Sequence, residues 1–168
     1  MQLSEEVKCN IIKILESQEF MSDLYEGLSD KKRKDLGQVY TPADVCVRMI
    51  ERFSTLTNKT ILDPAAGSGN LLIACLIAGA DSDKIYGNEF DPVAVKLCRK
   101  RINRACDLLG KQRIKDWQIH RGDASDPFCL TEFGPDYKQK LEAHFLSSHY
   151  SIIPMLTKEQ ERFLAEVD

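Results

Sequence analysis

The sequence predicts an α/β fold built on a mostly parallel sheet with helices on both faces. Three observations carry that expectation. The apolar run Thr60-Ile61-Leu62 leads into a glycine-rich turn and then into the apolar stretch Leu71-Leu72-Ile73-Ala74-Cys75-Leu76-Ile77. From residue 60 onward strand-like and helix-like segments alternate, the pattern of successive βα units. Hydrophobic residues make up 43% of the chain and charged ones 29%, the balance of an ordinary globular core with a solvated surface.

In chain order, residues 4–18 read as an amphipathic helix: Ser4 is placed to cap it, Glu5 and Glu6 occupy the first turn, and Val7, Ile11, Ile14 and Leu15 recur at helical spacing. The polar run Ser29-Asp30-Lys31-Lys32-Arg33-Lys34-Asp35 follows as a solvated connection. Residues 1–36 are accordingly expected to form an N-terminal helical extension and linker, ahead of a main domain over 37–168. Thr41-Pro42-Ala43-Asp44 predicts a helix start, with threonine as cap, proline in the first turn and Asp44 at the capping-box position. That helix carries Val45, Met49, Ile50 and Phe53. Strands are expected at 60–62 and 85–90, separated by a helix over 70–79. A further helix over 92–109 presents Val95, Leu97, Cys98, Ile102, Ala105 and Leu109, and Gly110 is placed to end it. Trp117 and Ile119 alternate within 115–121 and suggest a third strand. Beyond Gly122 the expectations are a short helix over 138–145, a short strand over 150–153 and a final helix from Thr157 to Val167.

At 168 residues the chain fits one domain. No apolar run approaches the roughly 20 residues of a membrane-spanning helix, and the first residues lack the pattern of a signal peptide, so the expected location is the cytoplasm. The cysteines at 9, 46, 75, 98, 106 and 129 contain no C-x-x-C pair, which predicts reduced, mostly buried thiols and no metal site. The net charge is −3, so the field of the whole chain does not attract polyanions.

The chemistry is concentrated in four segments. Asp63-Pro64-Ala65-Ala66-Gly67-Ser68-Gly69-Asn70 joins a strand to a helix, the setting of a nucleotide-cofactor loop. Gly67, Gly69 and the small Ala65 let backbone approach a ligand, and Asp63 at the strand end can accept its hydrogen bonds. A dinucleotide fingerprint would continue to a third glycine, where Leu72 stands, so a nicotinamide dinucleotide is disfavoured. The block instead resembles motif I of S-adenosylmethionine (SAM)-dependent methyltransferases, in the form common among amino-methylating DNA enzymes. Glu89, in Gly87-Asn88-Glu89-Phe90-Asp91, follows Asp63 at an interval close to the roughly 20 residues at which an acidic side chain meets a ribose in Rossmann-type sites.

Gly37-Gln38-Val39-Tyr40-Thr41-Pro42 is similar to motif X of the adenine-N6 DNA methyltransferases, including modification subunits of type I restriction systems. Its position ahead of motif I agrees with that family's order. The resemblance covers residues 37 to about 126 and implies a Rossmann-like SAM-dependent methyltransferase fold with SAM as cofactor. It also implies that Tyr40 packs beside SAM, that Thr41 and nearby amides bind its methionyl carboxylate, and that Asp123, with Ala124 beside it, accepts from the adenine amino group. The implied partners are DNA and a subunit supplying target recognition. The family's motif IV, Asn/Asp/Ser-Pro-Pro-Tyr/Phe, has no match: the sequence contains no Pro-Pro pair, and Ser125-Asp126-Pro127-Phe128 follows Asp123 too closely to replace it. No catalytic residue is assigned. Three readings stay open: a SAM-binding or interaction protein linked to a restriction-modification or mobile-element system, one half of a split enzyme, and an enzyme with a different motif IV.

Overall fold

The computed structural model describes residues 1–27 and 40–123. The expectations for the polar run 29–35, for Gly37 to Val39, for Ala124 and Cys129, and for the elements over 138–167 lie outside the described residues.

Helix α1, Glu5–Leu15, starts where its cap predicts, with the Val7 amide donating to Ser4 Oγ at 3.3 Å. It ends earlier than residue 18. The Ser17 hydroxyl donates to the Ile14 carbonyl at 2.8 Å and accepts from the Phe20 amide at 3.4 Å, so one serine closes α1 and opens a second helix, α2, Gln18–Gly27. The sequence reading did not anticipate α2, because its buried positions Phe20, Asp23 and Leu24 include a carboxylate that breaks the apolar period.

Helix α3, Ala43–Ile50, begins one residue later than its pattern suggests. Pro42 is itself the cap residue, extended at φ −61° and ψ 153°, and its carbonyl accepts the first helical bond from Cys46 at 3.0 Å. Thr41 does not cap, and Asp44 pairs with Arg48 at 2.8 Å instead of completing a capping box. The buried face is Ala43, Cys46, Val47 and Ile50, which packs on α1 and on the next helix, whereas Val45, Met49 and Phe53 are only partly buried.

Strand β1, Ile61–Asp63, then helix α4, Asn70–Ile77, strand β2, Ile85–Glu89, helix α5, Pro92–Leu108, and strand β3, Ile119–Arg121, form two consecutive βαβ units. All pairings are parallel and the strand order is β1-β2-β3, with Asp63 beside Gly87, Gly87 beside Ile119 and Glu89 beside Arg121. This is the parallel α/β arrangement expected. Asp91 caps α5 by accepting from the Val93 amide at 3.1 Å, with Pro92 at the first helical position. At the other end the Gly110 and Lys111 amides return to the Asp107 and Cys106 carbonyls, the turn that Gly110 favours.

The third strand is shorter than the alternation suggests. Asp116–Gln118 is a 3-10 turn, and Trp117 lies 55% exposed with its ring 5.8 Å from that of Tyr86. Gln118 explains the turn: its buried amide donates to the Ser82 and Ile85 carbonyls at 2.8 Å each while its oxygen accepts from the Lys115 amide.

Helix α4 is buried on nearly every side, with Leu72 to Leu76 inaccessible, as an apolar helix between the sheet and α1, α3 and α5 must be. Ile11, Leu15 and Phe20 join the same hydrophobic core, so α1 and α2 are built into it. Cys46, Cys75, Cys98 and Cys106 are free and buried and Cys9 is free and exposed; burial pushes the Cys46 thiol up to about 12.

Gly87 in the central strand sits at a close-packed junction of the sheet with the loop and α4. A β-carbon there would lie 3.0 Å from Ala66 Cβ and Ile119 Cδ1 and 3.1 Å from Leu72 Cδ1. Gly87→Ala is therefore expected to destabilise the fold by about 1–3 kcal/mol through overpacking. Urea unfolding is the check, and an unchanged midpoint would mean that this junction has room.

Candidate cofactor-binding site

The loop between β1 and α4 is held from three directions. From below, Asp63 Oδ1 accepts the Ala65 amide at 3.1 Å, which folds the chain back at the strand end. From β2, the Asn88 carbonyl accepts the Ala66 amide at 2.9 Å and Glu89 Oε2 accepts the Gly67 amide at 2.8 Å. The other Glu89 oxygen accepts the Asp91 amide at 2.9 Å, so this carboxylate joins the loop to the start of α5. Within the loop the Gly69 amide closes onto the Ala66 carbonyl at 2.7 Å.

Both loop glycines have positive φ, +52° at Gly67 and +84° at Gly69, which a side chain rarely adopts. They differ in surroundings. A β-carbon on Gly69 would meet Cys98 Sγ at 2.9 Å, so this glycine permits close packing of the loop on α5. On Gly67 it would meet the Ala65 carbonyl and Tyr40 Cδ1, both at 3.9 Å, ordinary van der Waals contact, so here the positive φ rather than crowding calls for glycine.

From α5 comes a buried cation that the motif reading did not single out. Arg101 is fully buried, and its Nη1 donates to the Ser68 carbonyl and to Asn70 Oδ1, each at 2.7 Å. Asn70 Nδ2 in turn donates to the Thr41 carbonyl at 2.8 Å. The guanidinium lies 5.6 Å from the centre of the Phe20 ring of α2. Burial lowers its pKa to about 10, which still leaves it charged at neutral pH. Helical spacing from Cys98 and Ile102 puts position 101 on the core face of α5, the signal in the sequence that could have found it.

The structure thus brings Tyr40, Thr41, Asp63, Ala65, Gly67, Gly69 and Glu89 together at the carboxyl ends of β1 and β2. Thr41 takes part through its backbone carbonyl. Asp123 is exposed just past β3, after Gly122, whose amide donates to the Glu89 carbonyl at 3.1 Å and whose carbonyl accepts from buried Asn88 at 3.0 Å. Ala124 is outside the described residues. Phe90, which the motif reading also passed over, is 64% exposed next to Glu89, an unusual state for an aromatic ring at a strand end. Its cue in the sequence was an aromatic residue directly after the strand-end acid.

Residues 16–124 match the model of the N-6 DNA methylase family. The chain belongs to that family. It is 33% identical over 107 residues to the type II methyltransferase M.VspI of Vibrio sp. (strain 343), covering 62% of this chain and 26% of that protein. It is 31% identical over 77 residues to the type II methyltransferase M.CvrRI of Paramecium bursaria Chlorella virus XZ-6E, covering 46% and 20%. A third relative, a Methanocaldococcus jannaschii protein named as a candidate N5-glutamine methyltransferase, is 35% identical over 63 residues, covering 38% and 31%. The chain therefore spans between about a fifth and a third of the length of these relatives. Among the described residues no helix is long and apolar enough to cross a membrane, and no group of three or more His, Cys, Asp or Glu side chains is placed to hold a metal ion.

The electrostatics of the loop are set by two acids. Burial, with the neighbouring Glu89 carboxylate, pushes the Asp63 carboxyl up from 3.8 to about 6, while the Ala65 amide favours its ionised form. The folded value exceeds the unfolded one, so the unfolded chain ionises first and ionised Asp63 costs stability above about 6. That cost fades as pH falls and is gone below 3.8. Relative to Asp63→Asn, the wild-type protein is expected to gain stability as pH falls through the window from about 6 to 3.8. Urea midpoints of both proteins across that window give the measurement; a pH-independent difference would remove the perturbed carboxyl.

Proposed function

We propose that the chain forms the SAM-binding part of a DNA adenine-N6 methyltransferase and that methyl transfer needs further residues or a partner subunit. The carrying observation is the Glu89 carboxylate, held against the Gly67 amide at the carboxyl end of β2, beside the exposed Phe90 ring. The donor set supports a cationic nucleoside rather than a phosphorylated one. Two carboxylates, Asp63 and Glu89, stand at the turn, the loop carries no lysine or arginine of its own, and the Arg101 guanidinium bonded to it from α5 is fully buried and engaged with the Ser68 carbonyl and Asn70. A phosphate would meet like charge there, whereas a sulfonium and an ammonium group would meet opposite charge.

In this reading each residue has a task that its chemistry suits. Glu89 keeps lone pairs beyond those accepting the Gly67 and Asp91 amides, and these take the ribose hydroxyl protons. Phe90 offers an apolar face to the adenine ring, and Asp123 accepts from its amino group. Tyr40 and Thr41 border the methionyl end, Gly67 and Gly69 keep the loop free of β-carbons, and ionised Asp63 balances the positive charge. When bound, SAM supplies an activated methyl group. Adenine N6 is a poor nucleophile because its lone pair is delocalised into the purine, so the base must be flipped out, stacked and aligned by acceptors. A Pro-Pro-aromatic segment on a second polypeptide is the proposed source of that machinery, within a cytoplasmic restriction-modification system. The alternative is a SAM-binding or interaction protein without turnover, which the lack of any Pro-Pro pair in the sequence favours.

Calorimetry with SAM or its demethylated product is expected to give a dissociation constant on the order of micromolar. Glu89→Ala should weaken binding by about 1–3 kcal/mol, the range for a charge-assisted hydrogen bond to a ligand. Absence of heat for the wild-type chain at millimolar-order cofactor would overturn the proposal; an unchanged constant for Glu89→Ala would remove that residue from the site. Asp123→Asn should weaken SAM more than a 6-keto purine analogue, since it converts one acceptor into a donor. Label from SAM should reach adenine N6 of DNA only when a polypeptide carrying the Pro-Pro motif is added. Transfer by the chain alone would place the missing machinery within it, and no transfer with any such polypeptide would favour the binding module.

A further inference from the structure

Arg101 is the buried group whose environment the cofactor contacts do not explain. It is fully buried, yet among the described residues its Nη1 donates to a carbonyl and an amide oxygen rather than to a carboxylate, and Nε and Nη2 have no hydrogen-bond partner there. A buried guanidinium is costly to desolvate, and a structural role alone would be served as well by an apolar side chain of similar volume. What an apolar side chain could not do is orient an amide. Asn70 Oδ1 faces Arg101 Nη1 and Asn70 Nδ2 faces the Thr41 carbonyl, so the guanidinium admits only one of the two amide orientations. The residue before Thr41 is Tyr40, whose ring borders Gly67.

We propose that Arg101 is a positioning residue for cofactor binding: it fixes the Asn70 amide so that Asn70 latches the Thr41 carbonyl and holds the Tyr40–Thr41 segment against the glycine loop. The inference rests on the SAM reading above. Phe20 takes part by covering the guanidinium from α2, with Arg104 on the same ring at 6.0 Å and Asp23 pairing with Lys100 and Arg104 at 2.7 Å each. The N-terminal helices thereby back the cofactor loop from behind.

Two variants separate positioning from mere stability. Arg101→Met removes the donor but keeps most of the volume. Asn70→Asp keeps an acceptor for Arg101 but turns an oxygen toward the Thr41 carbonyl, which repels it. Both are expected to fold, and each should weaken binding of the demethylated cofactor by about tenfold or more, the equivalent of losing a charge-assisted or a buried hydrogen bond. In nuclear magnetic resonance without ligand, each should shift the Tyr40 ring signals, and Arg101→Met should also speed solvent exchange of the Asn70 side-chain amide. Wild-type-like affinity together with unmoved Tyr40 signals in Asn70→Asp would overturn the inference. If Arg101→Met fails to fold, Asn70→Asp decides alone. If the wild-type chain binds no cofactor, the SAM reading fails, and the ligand-free Tyr40 and Asn70 signals still decide whether the latch exists.

Discussion

The structure depends on how the turn after β1 is tied to the strand beside it. A loop that is to receive a ligand must leave its outer face open, yet its own amides cannot be left without partners where they are buried. Here β2 supplies the partners: the Asn88 carbonyl takes the Ala66 amide and the Glu89 carboxylate takes the Gly67 amide. The same two residues reach the other way, Glu89 to the Asp91 amide at the head of α5 and Asn88 to the Pro64 and Gly122 carbonyls. The ends of β1, β2 and β3 are thereby fixed relative to one another by side chains from the middle strand. Parallel pairing alone would not do this, since the ladder stops where the loops begin.

That arrangement explains why the small residues fall where they do. Gly87 lets Ala66 and Leu72 close over the sheet, and Gly69 lets the loop settle on Cys98 and Ile102. Both serve packing, whereas at Gly67 a β-carbon would make only ordinary contacts with Ala65 and Tyr40 and the positive φ is what calls for glycine. A glycine-rich motif is therefore not uniform in its demands: of the two loop glycines, one is required by close packing on α5 as well as by its backbone, the other by its backbone alone. The raised carboxyl of Asp63 follows from the same closure, because burying the turn strips water from the carboxylate, and the neighbouring Glu89 adds to the effect.

Much of this was legible in the sequence, for identifiable reasons. The strand-loop-helix block, the Asp91-Pro92 helix start and the Gly110 stop each combine a local backbone requirement with a residue type that meets it, and each was found where expected. The failures share a different cause. The Ser17 break between α1 and α2 and the Gln118 turn before β3 are decided by side chains bonding to backbone, in the second case to the distant Ser82 and Ile85 carbonyls, while the late start of α3 is set by the extended backbone of Pro42 with no side-chain cap. Periodicity carries no information about such partners. Arg101 and Asn70 were passed over because a polar residue on an apolar face reads as an interruption until its partners are known. Thr41 was read by its hydroxyl, while the structure uses its carbonyl, the part of a residue that sequence motifs say least about.

Charge places a further constraint on how a chain of this family could meet DNA. Duplex DNA carries one negative charge per about 1.7 Å of axis, and affinity for it grows with the number of cations free to replace counterions. On the described surface many cations are already engaged: Arg48 with Asp44, Lys84 with Asp81, Arg104 and Lys100 with Asp23, Arg113 with Asp107, and Lys8 with Glu5 and Glu51. A phosphate approaching any of them would compete with a carboxylate already in place and would leave that carboxylate facing the backbone. Apart from the pairs to buried Asp23, these are solvent-exposed pairs that contribute little to folding, so their consequence is electrostatic rather than structural. At the loop itself the charged groups include the Asp63 and Glu89 carboxylates and, on its buried side, the Arg101 guanidinium. On the SAM reading proposed above, DNA would therefore meet the methyl donor through cations other than these paired ones, whether on another part of the surface or on a partner.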